Sequence, residues 1–343
     1  MSEGRRDLDT LAASISDRPA SGPRASATGL LLPDRYVEPK RIASGGMGEI
    51  WRFRDARLGR DVVLKRLHTE AGGREETRQA FEKEAQLQAS LGHPGIVSVF
   101  DLAEDELGQT YFTMQEVQGT TLADALESVP TSPSRSPWSR RALLEVLARV
   151  SLTVAFAHQR GVLHLDLKPE NIMLGHFGEV YVLDWGIARR TSDAPQDAES
   201  AALLGTLPYM SPEQARQETP DERSDVFALD AMLFEVLSGQ LMRRGSGMSE
   251  LLRLARKDPH PQAAARLNAA GVPYELVALC TKATAFDKEA RIATAVAFHA
   301  ALESWLDGER DLGRRREEAE NALAKARAAH AAGEPLAVVM RQL

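Results

Sequence analysis

Four polar residues in two short segments of the chain have the types and spacing to support chemistry. Asp166, Lys168 and Asn171 lie close together after an apolar stretch with helical periodicity, and Asp184 follows a later apolar run. Transfer of a phosphoryl group needs a carboxylate that orients a hydroxyl and accepts its proton, a cation near the migrating group, and oxygen ligands for Mg²⁺. These residues supply all three parts. Any one of them alone is more often structural, for example Asp166 as a turn former, so the prediction depends on the whole set.

A glycine-rich segment nearer the N-terminus predicts a phosphate-binding loop. It reads Ile42-Ala43-Ser44-Gly45-Gly46-Met47-Gly48-Glu49-Ile50 and lies between two predicted strands. Glycines let backbone N–H groups approach a triphosphate closely, although glycine-rich hairpins are also common as plain turns. Lys65 ends an apolar strand from which its ammonium would reach phosphate oxygens, and Glu84 on the next helix could hold it. A snorkelling surface lysine and a solvated helical glutamate are the alternatives.

The elements that must position these residues fall into two parts. Between 36 and 116 the sequence predicts strands at 37–42, 49–54, 61–67, 97–102 and 111–115, with one helix at 75–91. From 122 onward helices are predicted at 122–128, 139–159, 211–216, 224–238, 248–256, 273–284 and 294–306, with short strands near 172–174 and 180–183. The break falls near Val117-Gln118-Gly119. We therefore expect an α+β protein with a small sheet followed by a larger, mainly helical part.

Composition excludes several other classes of protein. The chain has 343 residues, 43% of them hydrophobic and 27% charged, which is ordinary for a globular protein. A net charge of -7 gives no bulk attraction to nucleic acid. The single cysteine, Cys280, forms no intrachain disulfide and suits a cytoplasmic location. The apolar stretch 142–157 carries Glu145 and Arg149 and is predicted to be a core helix, so we expect no membrane span.

The two ends differ from the middle. Residues 1–33 are mostly Ser, Ala, Gly, Pro, Arg and Asp, which predicts a disordered N-terminal tail. Residues 308–343 are rich in Arg, Glu and Ala at spacings that pair along a helix. We expect a helical extension or linker there. A coiled-coil or partner-binding element is the alternative, with few apolar heptads to support it.

Together these motifs resemble the signature set of protein kinases, and over about 36–306 the sequence is similar to bacterial Hanks-type (eukaryotic-like) Ser/Thr kinases. The resemblance implies a bilobal kinase fold spanning 34–307, with an antiparallel sheet lobe at 34–116 and a helical lobe at 117–307. It implies ATP and Mg²⁺ as cofactors, with Mn²⁺ as an alternative metal. Its partners would be protein substrates phosphorylated on Ser or Thr, in signalling and with autophosphorylation, and a second copy in a homodimer.

The resemblance also assigns roles to individual residues. Asp166 would be the catalytic base and Lys168 would stabilise the transferred group, while Asn171 and Asp184 would hold Mg²⁺. Lys65 would bind the α- and β-phosphates and pair with Glu84. The expected ATP contacts are Ile42, Ala43, Ser44, Gly45, Gly46, Met47, Gly48, Ile50, Val63, Lys65, Met114, Glu116, Val117 and Met173.

Further positions resemble structural parts of the family. Residues 205–213 resemble the substrate-proximal loop and its closing Ser-Pro-Glu motif. Asp225 resembles the buried helix residue that braces the catalytic loop, and Arg291 resembles the partner of Glu213. The Lys168 of Asp-Leu-Lys-Pro-Glu-Asn is typical of Ser/Thr members, which favours Ser/Thr specificity.

Five positions depart from the family pattern. Ala43 replaces the first loop glycine, Val63 replaces an alanine over the adenine ring, and Trp185 replaces the phenylalanine of the magnesium motif. Leu165 replaces an arginine that in many kinases receives an activation-loop phosphate, so we expect activity to depend less on that phosphorylation. Asp230 stands where a small residue is usual, and the sequence suggests no role for it.

Three other functions fit parts of this pattern. A pseudokinase scaffold would bind nucleotide or a partner without transfer, but it usually lacks at least one residue of the set Lys65, Asp166, Asn171 and Asp184. A small-molecule phosphotransferase is less consistent with the Ser-Pro-Glu motif. A pure interaction module would need no metal-binding set.

Overall fold

The computed structural model describes residues 32–44, 48–68, 75–131, 138–192, 205–257 and 260–331. The chain divides into two compact units. The first contains the described residues up to Arg78 together with Phe100–Glu116. The second contains Gln79–Val99 and the described residues from Val117 onward.

The first unit is built on a five-stranded sheet. Its strands are β1 (Tyr36–Ser44), β2 (Gly48–Asp55), β3 (Arg60–Leu67), β4 (Val99–Glu104) and β5 (Thr110–Gln115), in the order β1-β2-β3-β5-β4. The β1–β2, β2–β3 and β3–β5 pairs are antiparallel. Phe53, Val62, Leu64 and Tyr111 pack together with Tyr36 on one face, because alternate residues of neighbouring strands point the same way.

The helix α1 (Glu75–Ser90) supplies the residues at the start of the second unit. Phe81, Ala85 and Leu87 are buried at helical spacing, as expected for an amphipathic helix. Gln88 Nε2 donates to Val97 O at 2.8 Å, which ties the helix to the segment that follows it.

Helices make up most of the second unit. They are α2 (Leu122–Thr131), α3 (Arg140–Gln159), α4 (Pro212–Ala215), α5 (Glu222–Ser238), α6 (Met248–Ala255), α7 (His260–Ala269), α8 (Tyr274–Ala283) and α9 (Ala295–Ala331). Short 3₁₀ turns lie at Pro169–Asn171 and Lys288–Ala290. Two small antiparallel sheets carry the loops of interest: β6 (Gly119–Thr121), β8 (Ile172–Gly175) and β9 (Val180–Val182) form one, and β7 (Val162–Leu163) with β10 (Arg189–Arg190) forms the other.

The core of the second unit is centred on α3 and α5. Both contribute long runs of buried apolar residues, and α3 packs against α5 and α9. Within the described residues, α3 is also the one helix that is long and apolar enough to cross a membrane by length and composition. Since most of its apolar window is buried inside the unit, its hydrophobicity is accounted for by core packing.

The α+β prediction is confirmed, and the predicted strands and helices are found with shifts of a few residues at their ends. Helix α7 and the short strands β6, β7 and β10 were not predicted. The predicted boundary at Gly308 does not interrupt α9, which continues to Ala331. Arg310 pairs with Asp307 at 2.7 Å and with Glu145 of α3 at 3.3 Å, contacts that help to carry the helix past this glycine.

Candidate active site

One buried carboxylate holds the backbone of the loop that follows β7. Asp225, on the first turn of α5, is fully buried. Its two oxygens accept the backbone N–H groups of His164 and Leu165, each at 2.8 Å, and His158 Nε2 lies 2.8 Å from Oδ2. Burial alone would raise the pKa of Asp225, but the hydrogen bonds and charge of His158 and the amide of His164 outweigh it and lower that pKa. Asp225 therefore acts as an ionised brace for the loop.

His164 fixes the other side of the same loop. Its Nε2 lies 3.1 Å from Leu183 O, while its Nδ1 accepts the amide of Asp166 at 3.2 Å. This pattern requires the neutral tautomer with the proton on Nε2, because the carbonyl can only accept. The ring also stacks at a tilt on Trp185, with centroids 4.6 Å apart.

Three side chains converge on the carboxylate of Asp166. Lys168 Nζ donates to Oδ2 at 2.8 Å, Thr206 Oγ1 donates to Oδ1 at 2.9 Å, and Asn171 Nδ2 donates to Oδ2 at 3.3 Å and to Asp166 O at 2.9 Å. Lys168 Nζ also donates to Thr206 Oγ1 at 2.9 Å, which closes a ring of contacts. The predicted residues Asp166, Lys168 and Asn171 are thus brought together. The carboxylate direction is fixed by charge-assisted hydrogen bonds.

Asp184 reaches this site through the backbone. The amide of Leu183 donates to Asn171 O at 2.8 Å, so Asp184 directly follows a residue bonded to the loop that carries Asp166. Asp184 has φ 58, in the left-handed region that is rare for residues other than glycine. Gly186 packs tightly beyond it: an added Cβ would lie 3.1 Å from Asp184 Oδ1 and 3.3 Å from Glu84 Oε2. The buried carboxylate of Glu84 therefore lies beside the segment Asp184-Trp185-Gly186.

Trp185 occupies the core directly behind Asp184. It is fully buried in the same cluster as Leu87 of α1, and its indole N–H donates to Val182 O at 3.3 Å. A buried tryptophan needs such a partner for its single donor. The larger ring at this position is accommodated with its polar group satisfied.

The segment after Thr206 is anchored to the helical core. Arg291 makes two bonds to Glu213, at 2.7 and 2.8 Å, and Ser224 Oγ donates to Glu213 Oε1 at 2.7 Å. Burial opposes ionisation, but Arg291 and Ser224 lower the pKa of Glu213 to about 2. The predicted pairing of Arg291 with Glu213 is present in the structure. Tyr209 O–H donates to Glu235 Oε2 at 2.6 Å, a second tether for the same segment.

The residues expected to contact ATP are spread over both units, and each unit places its own set. In the first, Ile50 of β2 lies opposite both Ala43 and Lys65, and Val63 lies opposite Met114. Gly48 has no room for a side chain, since an added Cβ would lie 2.1 Å from Arg66 O. Glu116 accepts from Arg52 Nη1 at 3.4 Å.

The remaining residues predicted to contact ATP also belong partly to the first unit and partly to the second. Ile42 and Ser44 are exposed on β1, whereas Val117 and Met173 belong to the second unit, Met173 lying opposite Thr121 and Tyr181. Gly45, Gly46 and Met47 lie outside the described residues.

Two site residues were missed by sequence reasoning. Thr206 was included only as part of the substrate-proximal loop, yet it bonds both Asp166 and Lys168. Gln214 was given no role, yet its Nε2 donates to Leu165 O at 2.9 Å. A threonine or glutamine in a polar loop carries no periodic signal. The family motif marks the segment but does not reveal which hydroxyl or amide reaches the carboxylate.

Comparison with known proteins agrees with this geometry. The family model described as "Protein kinase domain" matches residues 36–305. The chain therefore belongs to the protein kinase family.

Curated relatives identify the branch of the protein kinase family to which the chain belongs. The chain is 38% identical over 284 residues to "Serine/threonine-protein kinase PknB" of Mycobacterium tuberculosis (strain ATCC 25618 / H37Rv), covering 81% of this chain and 44% of that protein. Proteins of the same name from Mycolicibacterium smegmatis and Mycobacterium leprae are 38% and 36% identical, over 79% of this chain and 43% of each. The branch is that of the bacterial Hanks-type Ser/Thr kinases. The chain spans less than half the length of these relatives.

Proposed function

We propose that this chain is a protein kinase that transfers the γ-phosphoryl group of ATP to Ser or Thr hydroxyls of protein substrates. The observation that carries the proposal is the fixed carboxylate of Asp166, held by Lys168 at 2.8 Å and by Thr206 at 2.9 Å. A base for this reaction must be ionised and aimed at the incoming hydroxyl. The contacts around Asp166 supply that orientation before substrate arrives.

Asn171 and Asp184 are the residues that would hold Mg²⁺. Asn171 uses its amide nitrogen for Asp166, which leaves the amide oxygen as a metal ligand beside a carboxylate. Within the described part of the chain no cluster of three or more His, Cys, Asp or Glu side chains forms a metal site. A pair of oxygen ligands nevertheless suits Mg²⁺, which completes its shell with substrate phosphates and water. When bound, the ion neutralises charge on the phosphates.

Lys168, held by Asp166 and Thr206, supplies the cation that the reaction needs near the migrating phosphoryl group. The ammonium of Lys168 bridges Asp166 and Thr206 and would lie near the phosphoryl group as negative charge builds on it. The same ammonium offers a third donor to the transferred group, since a lysine carries three N–H bonds. Lys65 completes the proposal as the residue that would bind the α- and β-phosphates, with Glu84 as the carboxylate that would pair with its ammonium.

The activity of the chain would depend less on a phosphate on its activation segment than in relatives with an arginine at the position of Leu165. Leu165 has no charge to offer a phosphoryl group, and the loop is instead braced by Asp225 and His164. Phosphorylation of Thr191, Ser192 or Ser200 would add charge without its usual arginine partner at this position. Ser200 lies outside the described residues.

Other parts of the proposal rest on chemistry more than on geometry. A cytoplasmic site of action fits the need for ATP and the free, buried thiol of Cys280. Mn²⁺ could replace Mg²⁺ because both take oxygen ligands. Association into homodimers stays a prediction.

The test is incubation with γ-labelled ATP, Mg²⁺ and a generic protein substrate, beside an Asp166→Asn control, followed by identification of the labelled amino acid. Label on Ser and Thr in the wild type alone supports the proposal. Equal labelling in both proteins contradicts it. Nucleotide binding without transfer would instead favour a pseudokinase scaffold.

A further inference from the structure

The residue just before Asp166 has a strained backbone. Leu165 has φ 66, in the left-handed region, which costs an L-residue with a Cβ roughly 1–2 kcal/mol. Such conformations persist where surrounding contacts hold them, and they concentrate at functional sites. The question is therefore what holds Leu165.

Both backbone polar groups of Leu165 are held by side chains from other elements. Its N–H donates to Asp225 Oδ1 at 2.8 Å, and its carbonyl accepts from Gln214 Nε2 at 2.9 Å. Gly205 also comes close to this carbonyl, since an added Cβ there would lie 3.3 Å from it. The contact with Asp225 follows the family pattern, whereas the contact with Gln214 does not belong to any part of the kinase signature described above.

The amide of Gln214 is oriented by a second set of bonds. Its Oε1 accepts the backbone N–H of Ser211 at 3.2 Å and the hydroxyl of Ser211 at 3.0 Å, within a capping box at the start of α4. A carbonyl oxygen can only accept, so the NH₂ end must face Leu165. The two ends of the amide thus have separate duties, one capping α4 and one reaching the catalytic loop.

The contact fixes a whole peptide plane. The carbonyl of Leu165 and the N–H of Asp166 belong to one planar unit. Gln214 holds the carbonyl end, and His164 Nδ1 accepts the N–H end at 3.2 Å. Rotation of this plane would redirect the Cα–Cβ bond of Asp166, so a side chain that holds the plane also aims the carboxylate.

We propose that Gln214 is a positioning residue for phosphoryl transfer, which clamps the Leu165–Asp166 peptide and links the substrate-proximal loop to the catalytic loop through an uncharged hydrogen bond. This inference rests on the proposed kinase function. It identifies a contact that can keep the two loops together in a chain whose Leu165 cannot bind a phosphate.

The deciding variant is Gln214→Glu. Glutamate is a natural capping-box residue at this helix position, so the cap on α4 is kept. Its ionised carboxylate still accepts from Ser211, but it cannot donate to Leu165 O and repels it. We expect kcat to fall about 10- to 100-fold near pH 8, as for a small misplacement of a catalytic group, with the KM for ATP changed less than about 2-fold.

Unfolding separates positioning from a general structural defect. Because Gln214→Glu keeps the cap and loses only the donor, its midpoint of urea unfolding should fall less than that of Gln214→Met, although kcat falls in both. Gln214→Met can neither cap nor donate, so it should lose stability as well as kcat. Gln262→Glu on the exposed side of α7 is the matched charge control and should match wild type throughout.

A second readout does not depend on activity. Corrected for intrinsic rates, hydrogen exchange of the segment 164–168 should be at least about 10-fold faster in Gln214→Glu than in Gln262→Glu near pH 8. If transfer by the wild-type chain did not depend on Asp166, the kinase function would be refuted. The hydrogen-exchange comparison would still show whether Gln214 holds the Leu165–Asp166 peptide. Wild-type kcat in Gln214→Glu near pH 8, or exchange of this segment equal to that in Gln262→Glu, would overturn the proposal.

Discussion

Replacing Asp230 should stabilise the protein, and the gain should grow with pH. Asp230 lies in the middle of α5 and is fully buried, and neither carboxylate oxygen has a hydrogen-bond partner among the described residues. Burial raises the pKa of Asp230 well above its ordinary value, and the nearby Cys280 and Thr284 offset this only in part. The hydroxyl of Thr284 already donates to Cys280 O at 2.7 Å, so it has no proton left for a carboxylate. We therefore expect Asp230 to be a neutral acid in the folded chain.

Two contributions to the unfolding free energy set the size of the expected stabilisation in Asp230→Ala. A buried polar group without a partner costs about 1–3 kcal/mol, partly offset in Asp230→Ala by about 1 kcal/mol for the small cavity left behind. The second term is linkage: the unfolded chain releases the proton above about pH 4 while the folded chain retains it. The contribution of Asp230 to wild-type stability therefore falls by about 1.4 kcal/mol for each pH unit until the pH passes the folded pKa, and then levels off. Asp230→Ala lacks this term.

Urea unfolding followed by tryptophan fluorescence at several pH values between about 5 and 8 measures both terms. The difference in unfolding free energy between Asp230→Ala and wild type should be positive and should rise with pH. Asp230→Asn is the matched control, since it keeps a buried polar group but cannot ionise. A difference that is constant with pH, or an alanine variant that is less stable at every pH, would refute the assignment of a neutral buried acid.

Three further outcomes are expected. Thr206→Val should lower kcat about 10- to 100-fold by releasing the carboxylate of Asp166, whereas Thr206→Ser should retain most activity; equal steady-state rates for the two variants would contradict this. Arg291→Met should destabilise the chain by about 3–5 kcal/mol in urea unfolding, because it leaves Glu213 buried and unpaired. Since the pKa of Glu213 is lowered to about 2, the stability it contributes is present above its ordinary pKa and lost as the pH falls through about 2, so the wild type should lose more stability in acid than the variant. Simultaneous alanine substitution of Thr191, Ser192 and Ser200 should change the initial transfer rate less than about 5-fold. A loss beyond about 100-fold would contradict the proposed lower dependence on activation-segment phosphorylation.

The sequence was informative where chemistry or periodicity repeats. The set Asp166, Lys168 and Asn171 was predicted from residue types within one loop, and the structure brings these side chains into contact. Strand and helix patterns predicted most elements because buried faces recur every two or three to four residues. Helix α7 escaped prediction because its Ala-rich sequence has few large apolar residues to mark a buried face.

Single contacts between distant segments could not be predicted in this way. Thr206 and Gln214 lie far along the chain from the catalytic loop, and only the folded backbone shows that they reach Asp166 and Leu165. Asp230 was visible as an unusual residue, but its lack of hydrogen-bond partners depends on which groups pack around α5. Local pattern identifies the parts of such a site, and tertiary packing decides their partners.

The most direct test of the central claim compares wild type with Asp166→Asn in two measurements on the same preparations: ATP affinity, and the rate of γ-phosphoryl transfer to a protein substrate. The asparagine keeps the size of the side chain and can still contact Thr206, but it cannot accept the hydroxyl proton. We predict that ATP affinity stays within about 3-fold while transfer falls by roughly 10²- to 10⁴-fold, the usual contribution of a general base. Transfer at the wild-type rate in Asp166→Asn would contradict the account.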